Sequence, residues 1–545
     1  MPKHKKTDFF MARLSLSTNT LILVVTAFLL IFGNATFVSN ILKAYPANGD
    51  NIFFLLSLVI VFGGAIILLF ATLCFRHSTK PVLIVVLLLS SLATYFMDSY
   101  GVVISDDMMR NIAHTSTAET LELLNIKLLA YLMILGAVPA MMVGMIPLQW
   151  RGLRREFIAR LKLFGITTFL VIATTLAFGS FYASFFRGHK ELRQHANPTY
   201  YFYSAIKYAA QLLKPASNAP IVTVGADAMI PASDVDRELT IMVVGETARA
   251  DRFSLNGYQR DTNPQLRKLG VLSFTNFWAC GTSTAVSVPC MFLLDGHANA
   301  ASSKITTDEN LLDVMQRSNV SVLWRDNNSD SKGVANRATF QDYKSPKMNP
   351  MCDIECRDEG MLAGLQEFID SHPKGDVFIV LHQMGNHGPA YFRRYPPEFE
   401  KFKPACKDSD LSRCSREEIG NAYDNAILYT DHFLAKTIEL LKKNDNKFET
   451  ALFYVSDHGE SLGENGLYLH GLPKAIAPDT QLHIPALMWF GSNFRDVKMS
   501  ALHAKSDNRF THTNLFHTLL GIFEIETSAY RHNMDILDGT RPEEK

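Results

Sequence analysis

The sequence predicts an α-helical transmembrane bundle followed by a soluble domain of α/β/α type. Three observations carry this. Apolar runs of about 20 residues, the length that crosses a hydrocarbon core, recur before residue 190. From about Glu238 onward, short β-branched runs alternate with longer helical stretches, the pattern of a largely parallel sheet covered by helices. Six of the seven cysteines fall in the C-terminal half, as expected of a domain in an oxidising compartment.

The apolar runs predict five spans, at Leu21–Val38, Ile52–Phe75, Pro81–Asp98, Leu128–Leu148 and Leu163–Phe181. The first is too long, and too closely followed by others, to read as a cleaved leader. Basic residues resist translocation and so mark the cytoplasmic side. Lys3, Lys5, Lys6 and Arg13 precede the first span, Arg76 and Lys80 separate the second from the third, and Arg151, Arg154, Arg155 and Arg160 separate the fourth from the fifth. The alternate loops are poor in Lys and Arg, and the one after the third span carries Asp106, Asp107, Glu119 and Glu122. A cytoplasmic N-terminus with an odd number of spans puts everything after about residue 190 outside.

The expected organisation is therefore a five-helix transmembrane domain over 1–188, an interfacial helix and linker over 189–236, and a soluble domain over 237–545. Asn197–Lys214 mixes Tyr200, Tyr201, Phe202, Tyr203 and Tyr208 with Lys207, a composition that favours the headgroup layer and equally suits a plain connecting helix. Pro215–Asp236, rich in Pro, Ala and Ser, reads as a linker. With 53 basic and 53 acidic side chains the formal net charge is zero, so nothing points to a nucleic-acid partner.

The six cysteines form three sequence neighbours: Cys280 with Cys290, Cys352 with Cys356, and Cys406 with Cys414. Pairing by proximity is the expectation, one among several connectivities. Cys74, inside a span, reads as a small buried apolar residue. Metal binding by Cys352 and Cys356 would need a second Cys or His pair nearby, and the sequence has none.

Four β-branched runs predict strands: Leu239–Val244, Val320–Trp324, Val377–Leu381 and Ala451–Val455. In open α/β sheets ligands bind beyond the carboxyl ends of the strands. The first run ends in Gly245-Glu246-Thr247, the third leads to His382 and Asn386-His387-Gly388, and the fourth ends in Ser456-Asp457-His458-Gly459-Glu460. Oxygen and imidazole donors without thiolate suit zinc or manganese, and Glu246, Asp457 and His458 make a three-ligand set. Singly, each also reads as a solvated strand end or a helix cap. A hydroxyl-rich turn, Cys280-Gly281-Thr282-Ser283-Thr284-Ala285-Val286-Ser287-Val288-Pro289-Cys290, offers a nucleophile that a metal could activate, or merely a stapled turn.

At these residues the chain resembles the lipid A phosphoethanolamine transferases, the family that includes polymyxin- and colistin-resistance enzymes. The likeness runs through the membrane bundle, Val244-Gly245-Glu246-Thr247-Ala248-Arg249, Asn256-Gly257-Tyr258, Cys280-Gly281-Thr282-Ser283-Thr284-Ala285, Gly385-Asn386-His387-Gly388-Pro389 and Tyr454 through Gly466. It implies an alkaline-phosphatase/sulfatase-like fold, with Zn2+ held by Glu246, Thr284, Asp457 and His458, and with Thr284 as the nucleophile. It implies that His387 and His470 contact phosphoethanolamine and can hold a second zinc or move protons. Asn328, Ser329 and Lys332 are further substrate candidates. Asn111, Thr115 and Glu119 match family positions that approach the ethanolamine end of the lipid, although they also read as an ordinary helix face beside a span. One departure stands out: some members have an extra cysteine pair around Asp330–Asn336, where this chain has Ser331 and Ala335.

The activity so implied is transfer of phosphoethanolamine from phosphatidylethanolamine to a lipid A phosphate through a phosphoethanolamine-threonine intermediate. A monomer is expected in a Gram-negative inner membrane, with the soluble domain in the periplasm. The competing readings are a sulfatase, phosphatase or other headgroup transferase on the same fold, which product analysis separates, and a membrane receptor that only binds lipid or metal.

Overall fold

The computed structural model describes residues 15–49, 51–115, 117–188, 192–213, 221–296, 305 and 308–542. The chain forms two compact units, Met1–Met109 with Leu124–Ala210, and Arg110–Leu123 with Gln211–Lys545. Lys3, Lys5, Lys6 and Arg13, on which the expected orientation rests, lie outside the described residues.

Among the described residues of the first unit, four helices are long and apolar enough to cross a membrane: Ile52–Leu73, Thr79–Tyr100, Ile126–Met145 and Leu153–Ala177. A fifth candidate is the pair Thr18–Phe32 and Ala35–Ala44, bent by 60°. The sequence reads this stretch as one straight span, and the break falls at Gly33-Asn34. The Asn34 amide donates to the Leu29 and Asn197 carbonyls, and the Asn197 amide donates to the Gly33 and Ser90 carbonyls and to Thr94 Oγ1. Backbone groups freed by the bend thus find partners inside protein, the condition for irregular backbone in an apolar setting.

The helix at Leu153–Ala177 begins about ten residues before the expected fifth span and takes Arg154, Arg155 and Arg160 into its first turns. Arg160 Nη1 donates to the carbonyl of Cys74, 2.6 Å away, satisfying an acceptor left open at the end of Ile52–Leu73. The helix Thr199–Leu212 buries Tyr201, whose hydroxyl lies 3.3 Å from Ser90 Oγ, and exposes Tyr203 and Ile206.

The second unit is built on an eight-stranded sheet. In chain order the strands are β1 (Glu238–Gly245), β2 (Leu272–Trp278), β3 (Ser321–Asp326), β4 (Thr339–Asp342), β5 (Val377–His382), β6 (Glu449–Ser456), β7 (His483–Phe490) and β8 (Phe510–Thr511). Their spatial order is β8-β2-β7-β6-β1-β5-β3-β4, and only β7 runs against its neighbours. All four sequence-predicted strands are present and adjacent. β1, β5 and β6 are buried along their whole length, which is why they read as unbroken apolar runs. The Val222–Met229 stretch of the expected linker bridges Val222 to Asp308 and Met229 to Glu526.

Candidate active site

Register places the site. Gly245 pairs with Ser456, and both Val244 and Asp326 pair with His382, so four parallel strands deliver their next residues to one edge. The crossing from β1 to β6 is tight: Asp457 N donates to the Gly245 carbonyl and Ala248 N to Ser456 Oγ. Thr247 adopts a left-handed φ of 52°, costly for a β-branched residue. That conformation aims its N–H at Asp457 Oδ1, 3.1 Å away, while its carbonyl accepts from the Tyr423 hydroxyl. Gly385, at φ 53°, brings the next loop onto the Glu246 backbone, where a side chain would collide with the Glu246 carbonyl.

Glu246, Asp457 and His458 converge, each fully buried, with one ligand atom apiece lying mutually within 4.8 Å. His458 Nε2 is 3.4 Å from Glu246 Oε1 and 3.3 Å from Asp457 Oδ2. These three atoms have no hydrogen-bond partner, while the remaining atoms of the same side chains are engaged. His458 Nδ1 lies 2.9 Å from the Gly459 carbonyl, which fixes it as the donor and leaves the Nε2 lone pair facing inward. Asp457 Oδ1 accepts from two backbone N–H groups and Glu246 Oε2 from Asn328 Nδ2.

Burial, then the neighbouring Asp457 charge, holds the Glu246 carboxyl well above the usual range, and burial pushes Asp457 up to about 7. Burial lowers His458. Among the described residues no Lys or Arg pairs with any of the three. Two buried carboxyls and a neutral imidazole facing one point fit a divalent cation, and the oxygen and nitrogen donors suit zinc or manganese.

Thr284 opens the helix Thr284–Phe292, and its hydroxyl lies 3.1 Å from Glu246 Oε2. Two other hydroxyls of the turn have different partners: Thr282 Oγ1 donates to the Leu472 carbonyl and Ser287 Oγ to the Gly281 carbonyl. Gly471 N donates to the Thr282 carbonyl, so the turn grips the loop that carries His470. His470 Nδ1 is 3.3 Å from Glu460 Oε1, and its ring centroid is 4.4 Å from that of His458 and 5.4 Å from that of His387. Burial, with His470, Arg394 and Lys332 adding to it, keeps His387 neutral.

Asn328 therefore touches a ligand set directly. Ser329 N donates to Asn328 Oδ1, and Lys332 Nζ reaches the Ser329 carbonyl at 3.3 Å. Asn111 and Thr115 contact one another through Thr115 Oγ1 and the Asn111 carbonyl; the side chain of Glu119 lies outside the described residues. All three disulfides connect sequence neighbours: Cys280–Cys290, Cys352–Cys356 and Cys406–Cys414.

Several supporting residues gave no isolated signal in the sequence. His512 accepts from Cys280 N–H at Nδ1 and lies 2.9 Å from the Ser456 carbonyl at Nε2, joining the Cys280–Cys290 turn to the end of β6. Asp358 accepts from Met384 N, Gly385 N and Gln383 Nε2, shaping the loop before His387. Asp326 holds His382 Nδ1 at 2.8 Å. Glu460, buried against His470, sits inside the motif already singled out at Asp457, yet only the fold shows which way it faces.

A mixed sheet with a candidate divalent-cation site at the ends of its parallel strands, joined to apolar helices, defines a membrane protein with a sulfatase-type domain. The sulfatase family model matches residues 238–525, and the model for phosphoethanolamine transferase EptA/EptB matches residues 62–213. The chain is 42% identical to phosphatidylethanolamine transferase Mcr-1 of Escherichia coli, over 94% of this chain and 96% of that one. It is 37% identical to phosphoethanolamine transferase EptA of Escherichia coli K12, over 97% and 98%. Among solved structures, the integral membrane protein lipooligosaccharide phosphoethanolamine transferase A of Neisseria meningitidis superposes with a TM-score of 0.92 at 32% identity, covering 97% of this chain and 99% of that one. This chain belongs to the phosphoethanolamine transferase family.

Proposed function

We propose that the chain moves phosphoethanolamine from phosphatidylethanolamine to a phosphate of lipid A at the outer face of a Gram-negative inner membrane, through a covalent Thr284 intermediate. The observation that carries this reading is the convergence of Thr284 on Glu246, Asp457 and His458 at one sheet edge. Zn2+ is the ion assigned to that set; when bound it would lower the hydroxyl pKa of Thr284 and offset charge on the transferred phosphoryl group.

The residues of the chain divide the remaining work. Thr284 Oγ forms the new bond to phosphorus while the bond to diacylglycerol oxygen breaks, and a proton must reach that oxygen. His470, braced by Glu460, and the neutral His387 stand where such a proton can be held. Free N–H groups at the start of Thr284–Phe292 favour the phosphate oxygens. A lipid A phosphate oxygen then attacks the same phosphorus, and Thr284 leaves. Asn328 orients Glu246, and Lys332 offsets phosphate charge. Asn111, Thr115 and Glu119 are assigned to the ethanolamine end of the donor. The helical unit supplies five spans with the N-terminus in the cytoplasm, so the soluble unit is periplasmic. Adding an ammonium to lipid A weakens its attraction for cationic peptides, so polymyxin and colistin resistance should follow.

The test is the mass spectrum of lipid A from cells with and without the chain. Phosphoethanolamine-modified species should appear only with it, and unmodified lipid A, or modification of another glycan, would replace this assignment with a related one.

A further inference from the structure

Between residues 237 and 545, five large apolar side chains are exposed among the described residues, and four of them fall within one short stretch: Phe340 at 40%, Met348 at 44%, Met351 at 40% and Ile354 at 67%. The fifth, Met499, stands alone beyond the far end of β7. Ile221, Val222, Met229 and Val235 are exposed too, in the stretch before β1, so after that stretch this segment is where exposed apolar side chains gather in the unit.

The stretch is a built platform. Tyr343 and Asn349 are buried beneath it, Asn349 Nδ2 donates to the Arg357 carbonyl, Arg357 N donates to the Met351 carbonyl, and the Cys352–Cys356 bridge closes its far end. Its rim carries both signs of charge: Lys344 is 3.5 Å from Asp342, Asp353 is taken by Arg357, and exposed Lys347 has no carboxylate partner among the described residues. Exposed apolar tips with a lysine beside them suit a surface that enters the boundary between headgroups and acyl chains.

Chain connectivity points the same way. Glu355, inside the bridged loop, is ion-paired with Arg394, and Arg394 is also paired with Glu122. Glu122 stands four residues before the apolar helix that begins at Ile126, so the chain itself limits how far this network lies from a membrane-crossing segment.

We propose that Phe340, Met348, Met351 and Ile354 form a lipid-contact surface that inserts into the outer leaflet, with Lys347 beside lipid phosphates. The surface presents the strand-end site to membrane-borne substrates; this last role rests on the proposed function, but the contact itself does not.

The experiment uses the full chain in nanodiscs of phosphatidylethanolamine and phosphatidylglycerol, with Met348→Cys carrying an environment-sensitive fluorophore. The native cysteines are bridged apart from buried Cys74, so the unsubstituted chain supplies the labelling blank. Met499→Cys is the reference. Nitroxide-bearing lipids should quench the Met348 label several-fold more than the Met499 label, with a blue-shifted emission. Equal quenching at the two positions overturns the proposal. A blue shift without lipid quenching, growing with protein concentration, assigns the patch to a second copy of the chain and overturns it too. Because the readout is independent of turnover, an inactive but quenched protein would contradict the proposed function alone.

Discussion

Thr284 Oγ1 lies 3.1 Å from Glu246 Oε2, although 37 residues, two short turns, the helix Pro264–Lys268 and the strand β2 separate them in the chain. The same carboxylate oxygen accepts from Asn328, so one group both positions the hydroxyl and belongs to the ligand set. Replacing Glu246 by Gln, or Asp457 by Asn, keeps the size and removes the charge that a divalent cation needs. Metal content measured by atomic emission should fall from about one ion per chain to well below half, and transfer should drop by about 10^3-fold or more. A chelator should reproduce the loss in the unsubstituted chain, and zinc should reverse it.

His512 ties the Cys280–Cys290 turn, which carries Thr284, to the end of β6 through both ring nitrogens, and burial lowers it to about 3, so it is neutral at working pH. His512→Ala should lower kcat by about tenfold to a hundredfold with metal content unchanged, since a small misplacement of a nucleophile is costly. Glutamine can also accept and donate, so His512→Gln should recover part of the rate. Equal loss in the two variants would show that the ring fills space and nothing more.

Arg394 donates to the His387 carbonyl at 2.6 Å and pairs with Glu122 and Glu355, all three side chains being largely buried. Burial raises the Glu355 carboxyl to about 7 despite the two arginines beside it. Arg394→Ala strands two acids and should cost about 3 kcal/mol of stability, together with a fall in transfer as the His387 loop loosens. Adding Glu355→Gln should recover part of the stability, which thermal unfolding of the four-member mutant cycle measures.

At the opposite end of the sheet Glu449 is raised to about 7 by burial and by Asp496. A carboxyl whose folded value exceeds its unfolded one takes up a proton on folding. Its contribution is therefore complete below about pH 4.5 and is lost as pH rises through about 7. Melting temperature should accordingly fall between pH 5 and 8 by more in the native chain than in Glu449→Gln. Parallel curves would contradict the assignment.

How much of this was legible beforehand follows from physics. Runs such as Leu239–Val244 and Ala451–Val455 announced themselves because central parallel strands are buried on both faces. β2 was not readable because Ser273, Thr275 and Asn276 interrupt its apolar pattern, and β7 because Pro485 stands inside its apolar run and argues against a central strand. The bend at Gly33-Asn34 was hidden for a related reason: its stabilising partner, Asn197, lies 163 residues away. Glu246, Asp457 and His458 were recognisable from strand-end chemistry, whereas Thr284 was one hydroxyl among four until resemblance singled it out. His512 and Asp358 act only through contacts made by the finished fold, so no local pattern could have marked them.

Covalent transfer requires Thr284 to become the carrier of the transferred group. Purified chain incubated with phosphatidylethanolamine and no acceptor, then digested, should yield the peptide spanning Cys280–Cys290 with the added mass of one phosphoethanolamine on Thr284, cleared when lipid A is supplied. A chain that modifies lipid A while that peptide never carries the group, under rapid quenching, would contradict the covalent route.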